Sequence, residues 1–205
     1  MSRFYIPLNK KTGTRVLPNF DPITSIGNNG LQYAFVNDVG LKGTVSFPNL
    51  ATVGSKGLYY TFRACTGLKD VIFPSLTSIE TEGLTYSFYQ CKGLTDISFP
   101  SLTSVGNKGL QYAFYQSTSL INISFPSLTT IGNYGLQYAF QECTGLTGSI
   151  SFPSLTSIGS SGLQSSFYKC TGITEVHFKS SLSSHSQCTA PRMGCTNATI
   201  YFDLP

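Results

Sequence analysis

Few side chains in this sequence have the chemistry that catalysis requires. The two histidines are His177 and His185, and Glu175 precedes His177 by two residues, which in a strand places both on one face. Catalysis by such a pair also needs a nucleophile or a pocket, and the sequence has no Ser-His-Asp set and no Gly-x-Ser-x-Gly motif. It also has no phosphate-binding loop and no metal-ligand spacing. We therefore expect that this protein is not an enzyme and that it has no catalytic, metal-binding or cofactor-binding residues.

The cysteines are distributed more regularly than the histidines. Four of the six occupy one recurring position, at which other copies of the same segment carry Asp38 and Ser117. These four are Cys65, Cys91, Cys143 and Cys170. Because Asp, Ser and Cys exchange freely there, the position requires a small group that can form a hydrogen bond. The other two, Cys188 and Cys195, either form a disulfide that staples the C-terminal segment or stay reduced, depending on the redox compartment.

Tyrosine recurs in the same way and gives the first candidate binding surface. One row consists of Tyr33, Tyr60, Tyr86, Tyr112 and Tyr138, and Tyr115 follows Tyr112 by three residues. A phenol combines an apolar face with a hydroxyl group, which suits contacts with sugars and with proteins. We predict an exposed ridge of tyrosines that binds a partner. The alternative is that the rings only stack over the edge of the core.

The second candidate surface is polar. Asp96, Asn122 and Ser124 flank apolar residues in segments with the alternation of strands, which places these side chains on the outer face of a sheet. Such a face can bind a partner, but it is also what any half-solvated sheet presents to water. Both interpretations stay open for these three residues.

The elements that position these side chains form a repeat of 26 residues. Its most regular marker is a phenylalanine, whose successive copies lie 27, 26, 26, 26, 27 and 26 residues apart. The copies are Phe20, Phe47, Phe73, Phe99, Phe125, Phe152 and Phe178. The two longer steps each add one residue, at Gly43-Thr44 and at Gly148-Ser149. A fixed period of about 20 to 50 residues identifies stacked structural units.

Each repeat contains one strand and one short helical turn. Leu110, Ala113, Phe114 and Ser117 have the spacing of one face of a helix. The β-branched and aromatic segment that follows ends at Pro126, which has no amide hydrogen to donate to a strand ladder. Neither element can bury its apolar side alone, whereas stacked copies can. We therefore predict an α/β-type solenoid whose parallel strands, one per repeat, form a single sheet.

The ends of the chain depart from the repeat. Asp21 and Lys179 replace the proline that follows the phenylalanine elsewhere, and residues 183–195 have no counterpart in the repeats. Because a solenoid needs its terminal rows covered, we predict an N-terminal cap at residues 1–19. Six repeats then occupy residues 20–178. Residues 179–205 are predicted to form a C-terminal cap that includes a last strand.

The repeat resembles the BspA-like, Treponema-type leucine-rich repeats of bacterial surface proteins and some protozoan proteins. The matching segments are Leu94 to Pro100 (LTDISFP), Leu102 to Gly106 (LTSVG), Ala113-Phe114, and Cys-Thr-Gly-Leu steps such as Cys143 to Leu146. The resemblance implies a leucine-rich repeat fold and a polar sheet face that is used for partners. It also implies that the recurring cysteine points inward and satisfies backbone groups of the turn.

The charge pattern argues against two classes of partner. The net charge of +4 comes from thirteen Lys and Arg scattered along the chain, so we expect no nucleic-acid binding, which needs a dense basic surface. No segment reaches the roughly 18 apolar residues of a membrane span, so we expect no membrane insertion. The N-terminus has no signal-peptide pattern. Localisation stays open between a cell-surface or extracellular site, as the resemblance implies, and a virion.

These observations favour a recognition or adhesion module. Its repeated polar and tyrosine-rich surface would present many weak contacts to a protein or glycan partner, and multivalency would supply the strength. The alternative is a structural or docking component of a larger assembly, such as a phage particle. The missing signal peptide and the short, self-contained length favour that alternative.

Overall fold

The computed structural model describes residues 20–204, which coil into a parallel β-solenoid of about seven turns, called coils below. This confirms the predicted fold class. The N-terminal cap expected at residues 1–19 lies outside the described residues. Each complete coil has a longer strand, a short strand and a run of turns, and each of these stacks on its counterpart in the next coil.

Seven longer strands follow one another along the solenoid. They are β2 (Gly43–Ser46), β4 (Leu68–Ile72), β6 (Asp96–Ser98), β8 (Asn122–Ser124), β10 (Thr147–Phe152), β12 (Gly172–Lys179) and β13 (Thr199–Leu204). All pairings between them are parallel, but they do not form the single sheet that was predicted. One sheet has the order β2-β4-β6-β8 and a second has the order β10-β12-β13.

The break between these two sheets lies beside an inserted glycine. Gly148 has a φ of +75°, and the register of β10 against β12 shifts between Gly148 and Ser149. A matching shift follows Gly43, whose φ is +85°, in the pairing of β2 with β4. Both insertions are bulges at which a left-handed glycine accommodates the extra residue.

A third sheet runs along the solenoid beside the longer strands. Its six strands are β1 (Ser25–Ile26), β3 (Thr52–Val53), β5 (Ser78–Ile79), β7 (Ser104–Val105), β9 (Thr130–Ile131) and β11 (Ser157–Ile158). In each strand the Ile or Val is buried and the Ser or Thr faces outward. Only one strand was predicted in each repeat, because these second strands have two residues, too few to show an alternating pattern.

The side predicted as helical is a run of tight turns. Lys108, Tyr112 and Gln116 have φ values of 54° to 56°, so a left-handed residue recurs every four positions. The Tyr112 N–H donates to the carbonyl of Gln137 in the next coil at 3.1 Å, whereas the Gln111 N–H donates to the carbonyl of Lys108 at 3.1 Å. Amides that point alternately within and between coils cannot form an α-helix. The four-residue period nevertheless gives the helix-like spacing seen in the sequence.

The core consists of two stacked rows of phenylalanine with Leu, Ile and Val between them. Phe114 is fully buried and stacks between Phe88 and Phe140, with ring centroids 5.3 Å and 5.2 Å away. Its edge contacts Phe99 of the other row at 6.4 Å. Because every coil contributes the same rings, the core is continuous along the solenoid axis.

The last coil is covered on one side only. A 3₁₀ turn (Ser180–Leu182) and helix α1 (Ala190–Met193) come before β13. Each of these two elements buries one side chain against the core, Leu182 with 4% and Met193 with 0% exposure. In contrast, the inward side chains of β13, including Ile200 and Phe202, are only half-buried.

Candidate functional site

The predicted tyrosine row exists and its rings are stacked. The centroid distances along the row are 5.4, 4.5, 4.9 and 4.7 Å, with interplanar angles of 30°, 22°, 3° and 18°. The members are Tyr33, Tyr60, Tyr86, Tyr112 and Tyr138, and the sixth coil has Ser165 at this position. Tyr33 is 47% exposed and the other four are half-buried.

Every tyrosine of this row has a left-handed backbone conformation. Their φ values lie between 54° and 59°, a region in which a bulky side chain is strained by about 1 to 2 kcal/mol. Stacking of an aromatic pair contributes about 0.5 to 1.5 kcal/mol beyond the burial of its area. The two terms are similar in size, so stacking between coils offsets the strain that each tyrosine carries.

A second aromatic row lies beside the first. Tyr89 and Tyr115 stack at 4.8 Å with an interplanar angle of 8°. Arg63, which precedes Tyr89 in this row, places its guanidinium 5.5 Å from the Tyr89 ring and 6.0 Å from the Tyr60 ring. Tyr59 contacts Tyr60 edge to face at 4.6 Å. We use the name tyrosine surface for the five tyrosines of the first row together with four neighbours, Tyr59, Arg63, Tyr89 and Tyr115.

Five phenols of the tyrosine surface have raised pKa values. Burial, together with neighbouring phenols, raises the pKa of Tyr59 to about 12. Burial also raises the pKa of Tyr60, Tyr86, Tyr112 and Tyr115 above the ordinary value of 10.0. Each phenol can therefore act as a hydrogen-bond donor and acceptor for a partner.

The stacking changes what this surface can offer. Within the row, each ring covers the faces of its neighbours, so the edges and hydroxyl groups are what remain for a partner. An uncovered face remains only at the ends of the row, at Tyr33 and Tyr138. Most of the flat ring faces that were expected to suit sugars are therefore occupied by a neighbouring ring.

A polar ladder that was not predicted from the sequence borders the tyrosine surface. The Gln90 side chain donates to Gln116 at 2.8 Å, and Gln116 donates to Glu142 at 2.7 Å. Lys169 completes this ladder with an ion pair to Glu142 at 2.9 Å. The hydrogen bond from Gln116 and the contact with Lys169 lower the pKa of Glu142. The signal was available, since these residues share one position of the 26-residue period.

The three polar candidates lie on a different segment of the coil. Asp96 in β6 and Asn122 in β8 are paired neighbours, and the Asn122 amide donates to the Asp96 carboxylate at 3.1 Å. Ser124 follows in β8 and is exposed. On the same face, the Thr44 and Thr95 hydroxyls donate to the Asp70 carboxylate at 3.1 and 3.2 Å. The structure thus groups Asp96, Asn122 and Ser124 with one another and not with the tyrosines.

The recurring cysteines have the inward position that the resemblance implied. The thiol of Cys91 donates to the carbonyl of Phe62 in the preceding coil at 3.0 Å, and Ser117 makes the same bond to Phe88 at 2.9 Å. Cys65, Cys143 and Cys170 donate to the equivalent carbonyls at 3.0 to 3.1 Å. Cys188 and Cys195 are buried free thiols and form no disulfide within residues 20–204.

His177, which was considered as a catalytic pair with Glu175, contacts two carboxylates. The Nδ1 atom of His177 lies 2.9 Å from the carboxylate of Asp203, and its Nε2 atom lies 3.2 Å from that of Glu175. The hydrogen bond with Asp203, aided by Glu175, raises the pKa of His177. The ring also stacks on Tyr201 at 4.8 Å. With both nitrogens directed at carboxylates, the imidazole connects β12 to β13.

Within residues 20–204, no group of three or more His, Cys, Asp or Glu side chains is arranged to hold a metal ion. No helix in the same range is long and apolar enough to span a bilayer.

Comparison with known proteins agrees with the repeat architecture. The model of the BspA type leucine rich repeat region matches residues 24–160 and 136–200 in six copies, whereas a comparison with curated proteins gives no match. The crystal structure of a leucine-rich repeat protein from Bacteroides ovatus ATCC 8483 is 17% identical, with a TM-score of 0.29. The similarity covers 88% of this chain and 64% of that protein, so this chain spans less than two thirds of its length. Because the family model matches most of its residues, the chain belongs to the BspA-type leucine-rich repeat family.

Proposed function

We propose that this protein is a non-enzymatic recognition module that binds a protein partner through the tyrosine surface. The observation that supports this proposal most is the stacked row of five tyrosines. Five coils have tyrosine at this position, although the left-handed backbone conformation there is strained for a bulky residue. The two other left-handed positions of each coil are far more variable, for example Lys56, Glu82, Lys108 and Tyr134 at one of them.

The geometry favours a protein partner over a glycan. A sugar ring needs an exposed aromatic face to stack on, and the neighbouring rings cover those faces in the middle of the row. A polypeptide needs edges, hydroxyl groups and amides for its own backbone and side chains, and the row together with the bordering ladder of Gln90 and Gln116 supplies them. Tyr and Arg are also the side chains that contribute most to protein interfaces, and Arg63 lies within this surface.

The test uses variants that remove hydroxyl groups but keep the rings. Peptides selected from a random displayed library against the native chain would be tested against a Tyr86→Phe, Tyr112→Phe and Tyr138→Phe triple variant. Stacking survives this change, so the fold should be intact. We expect the affinity to fall at least about tenfold, because each lost interfacial hydrogen bond is worth about 0.5 to 1.5 kcal/mol.

The matched control lies on the sheet face. An Asn122→Ala and Ser124→Ala double variant removes exposed polar groups without changing the tyrosine surface, and we expect its affinity to stay within about twofold. The opposite pattern would assign binding to the sheet face. A glycan array run in parallel tests the other partner class, and selective binding of one glycan that the triple variant retains would contradict the proposal.

A second proposed function is a docking component of a larger assembly. The observation in its favour is that Ile200 and Phe202 of β13 pack against the core but are only half-buried, so that another component could cover them. Its test is the oligomeric state of the purified chain.

A further inference from the structure

A cleft opens between the sixth coil and the segment that precedes β13. Its volume is about 280 Å³, near the lower end of the range for ligand pockets. One wall consists of residues 168–171 of the sixth coil, and the other is formed within residues 191–197. The cleft therefore has room for one large side chain or a small molecule, but not for an element of secondary structure.

The cleft is present because the ladder of turn amides ends early in the C-terminal segment. In the preceding coils every second turn amide donates to a carbonyl of the next coil. In the sixth coil the Phe167 N–H donates to the carbonyl of Met193 at 2.9 Å, but helix α1 then ends at Gly194, whose φ is +80°. The Lys169 N–H, which is next in this series, has no backbone acceptor within residues 20–204. The chain thus leaves a gap above the end of the sixth coil.

The lining of the cleft is mostly apolar. Tyr168 and Pro191 contribute two rings to its walls. Cys170 and Cys195 are each 3% exposed, which places their thiols at its base. Aromatic rings and sulfur atoms both make favourable contacts with another aromatic ring. An aromatic group therefore gains contacts in this cleft that an aliphatic group does not.

Tyr168 differs from the other tyrosines at its position in the coil. Tyr89 and Tyr115, in the third and fourth coils, stack on each other, but the fifth coil has Gln141 at this position. Tyr168 therefore has no ring of the preceding coil to stack on, and it is 45% exposed. The ammonium group of Lys169 lies 5.5 Å from the centre of its ring. In this coil the aromatic surface remains available to a guest.

The polar groups of the cleft are few and carry no unpaired charge. Lys169 is the one charged residue in the lining, and its ammonium group forms an ion pair with Glu142 at 2.9 Å. Thr171, Thr196 and Asn197 also line the cleft and are exposed. Hydroxyl and carboxamide groups both donate and accept hydrogen bonds, which suits a phenol or an indole N–H. The lining thus favours an aromatic group with one polar atom over an ion or a sugar.

We propose that this cleft binds a tyrosine or tryptophan side chain of the peptide partner, as the anchor at one end of the tyrosine surface. Tyr168 lies two coils beyond Tyr115, a distance of about 10 Å at the usual strand spacing. Three residues of an extended peptide span about the same distance. Aromatic side chains that fill a pocket contribute most to many interfaces. This inference rests on the proposed function, because it names the residue type that the partner must contribute.

The first experiment probes the cleft without a peptide. N-acetyl-L-tyrosinamide is titrated into the ¹⁵N-labelled chain, and the amide signals of Thr171, Thr196 and Asn197 should shift and saturate in the millimolar range. N-acetyl-L-leucinamide has no ring and should bind at least about threefold more weakly. The triple tyrosine-to-phenylalanine variant should respond like the native chain. No shift with the tyrosine amide, or equal affinity for the two amides, would overturn the proposal.

The second experiment fills the cleft. Thr171→Trp adds a ring to the lining, and the third coil already has a long side chain, Lys92, at this position. The matched control is Thr118→Trp, the same change at the equivalent position two coils away and outside the lining. Thr171→Trp should abolish the response to the tyrosine amide and lower the affinity for the selected peptides at least about tenfold. Thr118→Trp should leave both within about twofold.

The anchor and the tyrosine surface can fail separately. Tyr168→Ala removes one wall instead of filling the cleft, and it should weaken peptide binding as Thr171→Trp does. If the triple variant weakens peptide binding but neither cleft variant does, the tyrosine surface is supported and the anchor is refuted. If both cleft variants weaken peptide binding but the triple variant does not, the cleft is supported and the proposed role of the tyrosine row is refuted.

Discussion

Tyr86 and Tyr112 occupy equivalent positions in consecutive coils, and their rings stack 4.9 Å apart with planes that differ by only 3°. Both residues have a left-handed backbone, with φ values of 57° and 54°. The conformation that turns each ring outward is thus supported by the ring of the next coil. This coupling distinguishes the tyrosine row from an ordinary set of surface aromatic residues.

The first prediction separates this stacking from partner binding. Tyr112→Ser removes the contacts with Tyr86 and Tyr138 but keeps the strained backbone, so the free energy of unfolding should fall by about 1 to 2 kcal/mol. Tyr112→Phe keeps the stacking and should change it by less than about 0.5 kcal/mol. Urea unfolding of both variants measures the difference. Equal losses for the two would show that the hydroxyl group, not the ring, stabilises the row.

The second prediction concerns the core. Phe114→Ala removes a fully buried ring that packs against three other phenylalanines, and it should lower the free energy of unfolding by about 3 to 5 kcal/mol. Urea unfolding measures this loss, with Tyr112→Ser as the partly exposed comparison. A loss no greater than that of Tyr112→Ser would mean that the two aromatic positions are equally buried, contrary to the structure.

The third prediction compares three glycines. A Cβ atom at Gly148 would meet no atom within 4 Å, so Gly148→Ala tests only its φ of +75° and should cost about 1 to 2 kcal/mol. At Gly93 a Cβ atom would overlap the carbonyl oxygen of Thr66, so Gly93→Ala should cost at least as much, about 2 to 3 kcal/mol. Gly27 has open space and no positive φ, so Gly27→Ala should be neutral or slightly stabilising. Thermal or urea unfolding ranks the three variants. A neutral Gly148→Ala would contradict the requirement for a glycine at this bulge.

The fourth prediction concerns thiol chemistry. Burial raises the pKa of Cys65, Cys170 and Cys188 to about 12 and that of Cys195 to about 11, and it raises those of Cys91 and Cys143 as well. Because the thiolate is the reactive species, all six should resist a thiol reagent at neutral pH until the chain unfolds. Labelling with and without denaturant measures this. Fast labelling of Cys188 or Cys195 in the native chain would show that the C-terminal segment opens.

The fifth prediction concerns pH. The pKa of His177 is raised above 6.5 by Asp203 and then Glu175, so the protonated ring stabilises the folded chain. A group whose pKa rises on folding contributes fully below its unfolded value and loses that contribution as the pH rises through its folded value. The stability difference between the native chain and a His177→Gln variant should therefore shrink as the pH rises from about 6 toward the alkaline range. The carboxylates are about half exposed, which keeps the effect below about 1 kcal/mol.

Urea unfolding of both proteins at several pH values tests this directly. A Lys69→Gln variant, which removes a positive charge far from His177 along the solenoid, serves as the control and should show no such trend. A difference that grows with rising pH would have the wrong sign and would contradict the assignment of the two carboxylates as partners of His177.

The sequence alone determined the architecture of this protein because every coil repeats the same requirements. The spacing of Phe99 and Phe125, the stop at Pro126 and the longer steps at Gly43 and Gly148 together predicted stacked parallel strands with one extra residue at each of two known places. The exchange of Cys91 with Ser117 likewise indicated a hydrogen-bonding position before its carbonyl partner was known. These features depend on contacts that recur with the period, so they are visible in a one-dimensional comparison.

Only the tertiary structure decided which surfaces remain available. The faces of Tyr86 and Tyr112 are covered because a left-handed φ every four residues aligns their rings between coils, and a sequence does not show the sign of φ. The pairing of His177 with Asp203 joins residues 26 positions apart in a part of the chain where the repeat is already breaking down. The half-exposed edge at Phe202 depends on how residues 183–195 fold over the core. That segment has no repeat counterpart, so neither the period nor local propensity could predict which side of the last coil it would leave uncovered.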